Sequence, residues 1–294
     1  MSTVVLLTIT GLGLGALYFL IASGLSLIYG LMGVLNFAHG AFLTIGAYSS
    51  WYIDGKLGGI GSLWLRFVVA ALCGLAIGAI AAALVELVLI RPLYRRHIEQ
   101  VLVTVGLGLA ITALVEAIWT PTSQVYVAPS WFASTTTIAG ARIPNDHWLA
   151  IGAALAVLLG LFAFLRLTRY GLIIRAGVEN RSMVTALGID VRRAFTLVFA
   201  IGGVAAAIAG VLSNVYFGTV DPARGTSLLI FAFIVVVIGG LGSLRGTAAA
   251  AIVVGLVQQY ANYYASSGLG DLSVVLLLGV VLLVRPRGLS GSFA

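Results

Sequence analysis

Residues 63–90 read LWLRFVVAALCGLAIGAIAAALVELVLI, and this apolar run decides the class of the fold. A helix needs about 20 consecutive apolar residues to cross a bilayer, and the run is longer than that. Similar runs recur at 4–29, 32–53, 99–119, 148–165, 195–217, 227–244, 247–265 and 272–284. The pattern predicts an all-α polytopic membrane protein, a compact bundle of about eight to nine transmembrane helices.

The composition supports a membrane protein. Of the 294 residues, 61% are hydrophobic and 9% are charged, whereas an ordinary soluble domain is about 25% charged. The 37 glycines let helices approach closely, which matters because lipid gives helices no hydrophobic reason to associate. We expect one transmembrane domain over 1–294.

The arginines lie in short loops and predict the orientation. They cluster at 91–97, 166–193 and 285–287, so these segments should be cytoplasmic by the positive-inside rule. The loops at 54–62, 120–147, 218–226 and 266–271 carry few positive charges and should face outward. The N-terminus is then outside and the C-terminus cytoplasmic. A re-entrant segment at 29–50 or at GGLGSLRG (239–246) would change the number of spans by one.

This distribution of arginines also bears on the possible partners. The net charge of +7 is explained by topology, so we expect a lipid bilayer and no nucleic acid as a partner.

No pattern of catalytic or metal-binding residues is visible. Cys73 is the sole cysteine, and the three histidines are far apart in sequence. The single lysine, Lys56, stands in DGKLGG, which lacks the spacing of a phosphate-binding P-loop. We therefore expect no catalytic residue, no metal and no cofactor. Glu86, five residues before Arg91, should reach interfacial water or a partner.

The segment 167–193 is the most informative loop. It contains RYGLIIRAGVENRSMVTALGIDVRRA (169–194), which predicts a short helix over about 175–187 that ends at Gly188. One face of this helix would carry Ala176, Asn180, Met183 and Leu187. Such a face suits docking to a partner protein, with a solvated loop as the alternative.

Four stretches together resemble a known family. They are YGLMGVLNFAHGAFLTIGAY (29–48), RPLYRR (91–96), RAGVENRSMVTALGIDVRRA (175–194) and VVVIGGLGSLRGTAAAAIVVGL (235–256). In this order they are similar to the permease subunits of bacterial branched-chain amino-acid ABC importers, the LivH type. The resemblance covers nearly the whole chain.

The resemblance implies a machine in the bacterial inner membrane. A second homologous permease, two cytoplasmic ATP-binding subunits and a periplasmic binding protein would complete it. The chain itself would not be an enzyme, because the ATPase subunits hydrolyse ATP. The cargo would be branched-chain or related hydrophobic amino acids, with urea or short amides as the alternative. An ion-coupled secondary transporter and a membrane-embedded enzyme are the competing classes.

The resemblance also implies a cytoplasmic coupling helix within 167–193. The residues assigned to ATPase coupling are Glu179, Arg181, Met183, Leu187 and Gly188. Importers in general carry a Glu-Ala-Ala…Gly pattern there. This chain departs from that pattern, because Asn180 follows Glu179 and Gly188 lies nine residues after Glu179.

The stretch VLNFAHGAFL (34–43) places Asn36 and His39 in apolar surroundings. On one continuous helix, a stripe of small and polar residues would share a face: Gly33, Asn36, Gly40, Thr44 and Ala47. Polar residues at membrane depth usually face the bundle interior or a water-filled cavity. Asn36 and His39 therefore either line a translocation path or bond to a neighbouring helix, and the sequence favours neither.

Overall fold

The chain folds into a helical bundle with short strands at one end. The computed structural model describes residues 2–94, 96–179, 184, 190–266 and 268–290. The helices are α1 (Ser2–Met32), α2 (His39–Lys56), α3 (Leu63–Val85), α4 (His97–Trp119), α5 (Ser130–Ala133), α6 (Asn145–Leu167), α7 (Arg169–Glu179), α8 (Val191–Phe217), α9 (Arg224–Gly239), α10 (Leu244–Tyr264) and α11 (Leu269–Val284). A π-helical turn, Glu86–Ile90, and a 3-10 turn, Arg91–Leu93, follow α3.

Helices α1 and α8 form the centre of the bundle. In the apolar part of each of these two helices, 67% of the residues are buried. The same share is 28% for α3 extended to Leu93, 17% for α6 and 11% for α4. Phe42, Tyr48 and Phe199 are among the largest fully buried side chains. The peripheral helices turn leucines outward, as in α4, where Leu102 is 66% exposed. This distribution suits a protein whose outer surface meets lipid.

Helix α3 packs through a stripe of small residues. Its buried positions are Ala70, Gly74, Gly78 and Ala82, spaced four apart. The stripe lies against α2 and α8, where a methyl group added at Gly78 would lie 2.6 Å from the Cβ of Ala207. Small residues at this spacing let two helix backbones approach closely.

The predicted break near 239–246 is confirmed. The helix direction bends by 119° between α9 and α10. A segment after α11 bonds to the end of α9: the amide of Leu289 donates to the carbonyl of Ile238 (2.8 Å), and that of Ser290 donates to the carbonyl of Gly239 (3.2 Å). Helices leave their last carbonyls without partners, so this downstream segment supplies the missing donors.

Two small sheets lie at the end of the bundle where α1 begins. Strand β1 (Gln124–Val125) pairs with β4 (Thr219–Val220), and β2 (Thr135–Ile138) pairs with β3 (Ala141–Pro144). Both residues of the hairpin loop, Ala139 and Gly140, have positive φ, as two-residue type I′ loops require. The sequence predicts an all-α fold with an outward loop at 120–147, so the strands are a correction.

The two ends of the bundle differ in character. We call the end with the strands the hairpin end. At the opposite end, Met32 at the close of α1 packs against a small cluster that includes Val191 and Phe195. This second end carries several arginines and we call it the basic end; those in the described ranges include Arg91, Arg96, Arg169, Arg192, Arg193, Arg285 and Arg287.

The described helices confirm several membrane spans but not the count of eight to nine. By length and composition, five described helices suffice to cross a bilayer, or six if the bent pair is one span. Helix α11 is shorter, with 16 residues. The apolar run at 32–53 is not one helix, because helical structure begins again only at His39.

Candidate functional site

The segment Gly33–Ala38 interrupts the predicted helix. Gly33 ends α1 with a left-handed backbone, φ +66°, and its amide donates to the carbonyl of Tyr29 (2.8 Å). A left-handed residue at this position favours glycine. Gly33 and Asn36 therefore precede α2, and the predicted stripe on a single helix is wrong for these two residues.

The break runs from the end of α1, at Met32, back alongside the second half of that helix. His39, which follows it, contacts Ile21 and Gly24. Non-helical backbone at membrane depth is tolerated only where protein buries it or where it lines a water-filled cavity. Here the amide of Phe37 donates to the hydroxyl of Thr104 on α4 (3.2 Å). The protein itself therefore supplies the hydrogen-bond partner of at least this backbone amide.

Asn36 is 1% exposed. Of the two polar atoms in its side chain, only Oδ1 has a hydrogen-bond partner among the described residues. Its Oδ1 accepts from the amide of Ala38 (3.1 Å), a local turn typical of asparagine. Its Nδ2 is buried and has no hydrogen-bond partner among the described residues. A buried amide nitrogen of this kind can donate to a group that arrives later.

His39 joins α2 to α1. Its Nε2 lies 3.1 Å from the carbonyl oxygen of Ile21, and because a carbonyl only accepts, Nε2 carries the proton. Its Nδ1 is buried and has no partner among the described residues. The ring also meets Phe42 edge-on, with 6.0 Å between ring centres. The structure therefore gives His39 a bond between helices, one of its two expected roles.

Gly40 and Thr44 bring α2 against α9. A methyl group added at Gly40 would lie 2.5 Å from the carbonyl oxygen of Gly225, which is too close for any carbon. The hydroxyl of Thr44 lies 3.4 Å from the carbonyl of Gly40 and 3.5 Å from that of Pro222. Both residues are buried, and their contacts are those of close helix packing.

The predicted coupling residues fall at the edge of the described chain. Helix α7 begins at Arg169, six residues earlier than we expected, and ends at Glu179. Arg181, Met183, Leu187 and Gly188 lie outside the described residues. Val184, which is described, is 5% exposed and packs with Val191 and Phe195 at the start of α8.

A buried carboxylate at the basic end was not among the predicted site residues. The side chain of Glu86 is 0% exposed. Arg91 donates to both of its oxygens, from Nε to Oε1 (3.3 Å) and from an Nη to Oε2 (3.2 Å). Thr196 on α8 donates to Oε2 (2.7 Å), and the hydroxyl of Tyr94 donates to Oε1. We call these four residues the Glu86 network. A glutamate five residues before an arginine was the sequence signal.

A family model for the branched-chain amino acid transport system, permease component, matches residues 7–285. The chain belongs to this family. The likeness therefore runs through nearly every helix of the bundle, including the break and the Glu86 network.

Relatives place the permease within the family. It is 31% identical over 288 residues to the high-affinity branched-chain amino acid transport system permease protein LivH of Salmonella typhimurium, covering 96% of this chain and 93% of that one. It is also 29% identical over 262 residues to the fructose import permease protein FruF of Bifidobacterium longum, covering 85% and 69%. The relatives of this chain thus include proteins named for different cargoes.

Among solved structures, the permease is similar to PsaBC from Streptococcus pneumoniae in complex with Fab. The TM-score is 0.48 at 12% identity, with 95% of this chain and 91% of that chain covered. The family and the apolar helices together identify the permease as a multi-pass membrane transport protein. Within the described ranges, no group of three or more His, Cys, Asp or Glu residues could hold a metal ion.

Proposed function

We propose that this chain is the membrane-spanning permease subunit of an ATP-driven importer for branched-chain or related hydrophobic amino acids. The observation that carries the proposal is the 31% identity to a named branched-chain amino acid permease over 96% of the chain. The chain forms one transmembrane domain in the bacterial inner membrane, with its basic end toward the cytoplasm.

The motor is supplied by other subunits. The sequence contains no G-x-x-x-x-G-K-[ST] motif, which an ATPase of the P-loop class needs to hold phosphates. Two ATP-binding subunits power the importer, and the segment 167–193 docks on an ATP-binding subunit. A second permease completes the path, and a periplasmic protein delivers the cargo. The isolated chain is therefore no enzyme.

The translocation path passes the break between α1 and α2. Gly33, Asn36 and His39 lie at or beside non-helical backbone, and the Nδ2 of Asn36 has no hydrogen-bond partner within the described part of the chain. Broken helices with polar groups near the midplane are the places where many transporters contact their cargo. Gly40 and Thr44 hold this region against α9.

The fructose permease relative favours a second candidate cargo, a sugar carried by the same kind of machine. Urea or a short amide is a further candidate from the resemblance. An ion-coupled transporter would need a carboxylate deep in the bundle, and Glu86 is already paired with Arg91.

One reconstitution tests the proposal. The chain would be co-purified with its cognate permease, ATPases and binding protein, and placed in liposomes with ATP inside or outside as orientation requires. We expect ATP-dependent uptake of labelled leucine, isoleucine or valine. Uptake of fructose or urea alone would reassign the cargo, and uptake by the isolated chain with an ion gradient would contradict the ATP-driven mechanism.

A further inference from the structure

The Glu86 network joins the segment after α3 to the start of α8, which adjoins the proposed ATPase-docking segment 167–193. Glu86, Arg91 and Tyr94 follow α3, whereas Thr196 is in the second turn of α8, which begins directly after 190. Thr196 accepts from Arg91 (2.7 Å) and donates to Glu86 (2.7 Å). Its hydroxyl is thus the point at which α8 is tied to the end of α3.

The π-helical turn makes this arrangement possible. Residues five apart on an ordinary α-helix point about 140° away from each other, at 3.6 residues per turn. The wider turn at Glu86–Ile90 brings Arg91 round to the carboxylate. Turns of this kind inside α-helices frequently mark functional sites.

Tyr94 connects the polar network to an apolar cluster. Its hydroxyl donates to Glu86, and its ring meets that of Phe195 edge-on, with 5.8 Å between ring centres. The cluster consists of Val184, Val191 and Phe195, with Met32 and Tyr94 packed against it. Val184 belongs to the proposed docking segment. A displacement of that segment would therefore move the cluster against which Tyr94 packs.

Met32 carries the same cluster to the candidate path. It is the last residue of α1, and the next residue, Gly33, opens the break that contains Asn36. The contacts therefore run from Val184, through the cluster, to Met32, from which the chain continues directly into the break. Coupling between distant sites is carried by such packed and hydrogen-bonded elements.

We infer that the Glu86 network and the Tyr94–Phe195 contact form a joint that transmits ATPase-driven movement of the docking segment to the break between α1 and α2. Tyr94 and Glu86 are positioning residues in this role, since they are remote from Asn36. The inference rests on the proposed function, because it requires ATPase subunits that dock on 167–193.

The test follows the break directly, so that the identity of the cargo does not matter. Leu35→Cys, in a Cys73→Ser background, places a thiol in the break, and its maleimide labelling rate is measured in the assembled complex with and without ATP. Tyr94→Phe removes only the hydroxyl, and Glu86→Gln removes the charge and replaces one of the two acceptor oxygens by a donor. Asp54→Asn is the matched control, because Asp54 forms an ion pair of 2.8 Å with Arg66 at the hairpin end.

We expect ATP to change the labelling rate by about fivefold or more in the parent, in the range of ordinary coupling between sites. In Tyr94→Phe and Glu86→Gln the change should be lost while the ATPases stay bound and still hydrolyse ATP. Asp54→Asn should keep the change even where it lowers thermal stability.

Two outcomes would overturn the inference in distinguishable ways. A full ATP response in both Tyr94→Phe and Glu86→Gln removes the joint and leaves the proposed function intact. A parent complex in which ATPases do not bind, or in which ATP has no effect on labelling, removes the docking proposal and the joint with it.

Discussion

The Nε2 atom of His39 lies 3.1 Å from the carbonyl oxygen of Ile21. The first residue of α2 is thereby fixed to the second half of α1, although the backbone between the two helices is not helical. A carbonyl oxygen has two lone pairs, so Ile21 can accept this bond together with one from its own helix. The bond sets the position at which the broken segment returns to the bundle.

Replacement of His39 tests this bond. His39→Leu removes the donor and should lower the free energy of unfolding by about 1 kcal/mol, the size of a bond between membrane helices. His39→Gln keeps a donor and should retain both stability and uptake. Thermal unfolding of the purified complex, with uptake per assembled complex, is the measurement. A stable His39→Gln complex without uptake would instead indicate proton coupling.

Asn36 should matter for transport more than for stability. Asn36→Leu exchanges a polar group at the break for a bulky apolar one, so uptake per assembled complex should fall about tenfold or more, which corresponds to a rise of roughly 1.4 kcal/mol in the rate-limiting barrier. Asn214→Leu is the control, because Asn214 is also buried but its Nδ2 donates to the carbonyl of Ala47 (2.9 Å). The control should lose stability and keep its uptake per complex. Normal uptake in Asn36→Leu would leave Asn36 a structural role alone.

Gly40 should tolerate no side chain. Gly40→Ala forces a methyl group against the carbonyl of Gly225 and should destabilise the protein by about 1–3 kcal/mol. Gly55→Ala, in the same helix, meets nothing within 4 Å and should be neutral or stabilising by up to about 1 kcal/mol. Equal melting temperatures for the two variants would show that α2 and α9 can separate at no cost.

The docking segment should govern coupling to the ATPases. Glu179→Arg reverses a charge on this segment. Gly188→Val puts a β-branched side chain at a position expected to need a left-handed backbone, which valine disfavours. Both variants should lower cargo-stimulated ATP hydrolysis while the isolated permease unfolds at its normal temperature. Wild-type stimulation in both variants would refute the assignment of this segment.

The proposed orientation in the membrane predicts that cysteines at positions 3 and 182 react from opposite sides of the bilayer. In a Cys73→Ser background, Thr3→Cys should react with an impermeant maleimide from outside, and Ser182→Cys should react only from the cytoplasmic side. The reason is the concentration of arginines at the basic end. Reaction of both thiols from one side would contradict an odd number of crossings between them.

The apolar runs predicted most helices, because burial in lipid needs only hydrophobic length. The start of α3, α4 and α6 follows directly from this signal. The break at Gly33–Ala38 could not be predicted in the same way, since the apolar pattern continues through it. What holds the break is tertiary: Phe37 stacks on Phe233, with ring centres 5.4 Å apart, and its amide reaches Thr104.

Local turn signals were available but weak. Gly33 and Asn36 are both residues that favour turns, and both lie within the break. The run of β-branched residues at Thr135–Ile138, followed by Ala139 and Gly140, is typical of a hairpin. The Glu86 network is harder to predict, because Thr196 is distant in sequence and only the folded bundle brings it to the carboxylate.

The bonds from Leu289 and Ser290 to the end of α9 also impose an order on biosynthesis. Their acceptors, the carbonyls of Ile238 and Gly239, leave the ribosome about fifty residues earlier, which at roughly 5–20 residues per second is a delay of about 3–10 s. During this interval the bend between α9 and α10 must find other donors, such as water or lipid headgroups. The hydrogen bonds at the bend between α9 and α10 are therefore completed late. A ribosome that stalls within α11 would leave a nascent protein in which the carbonyls of Ile238 and Gly239 still lack the donors from Leu289 and Ser290.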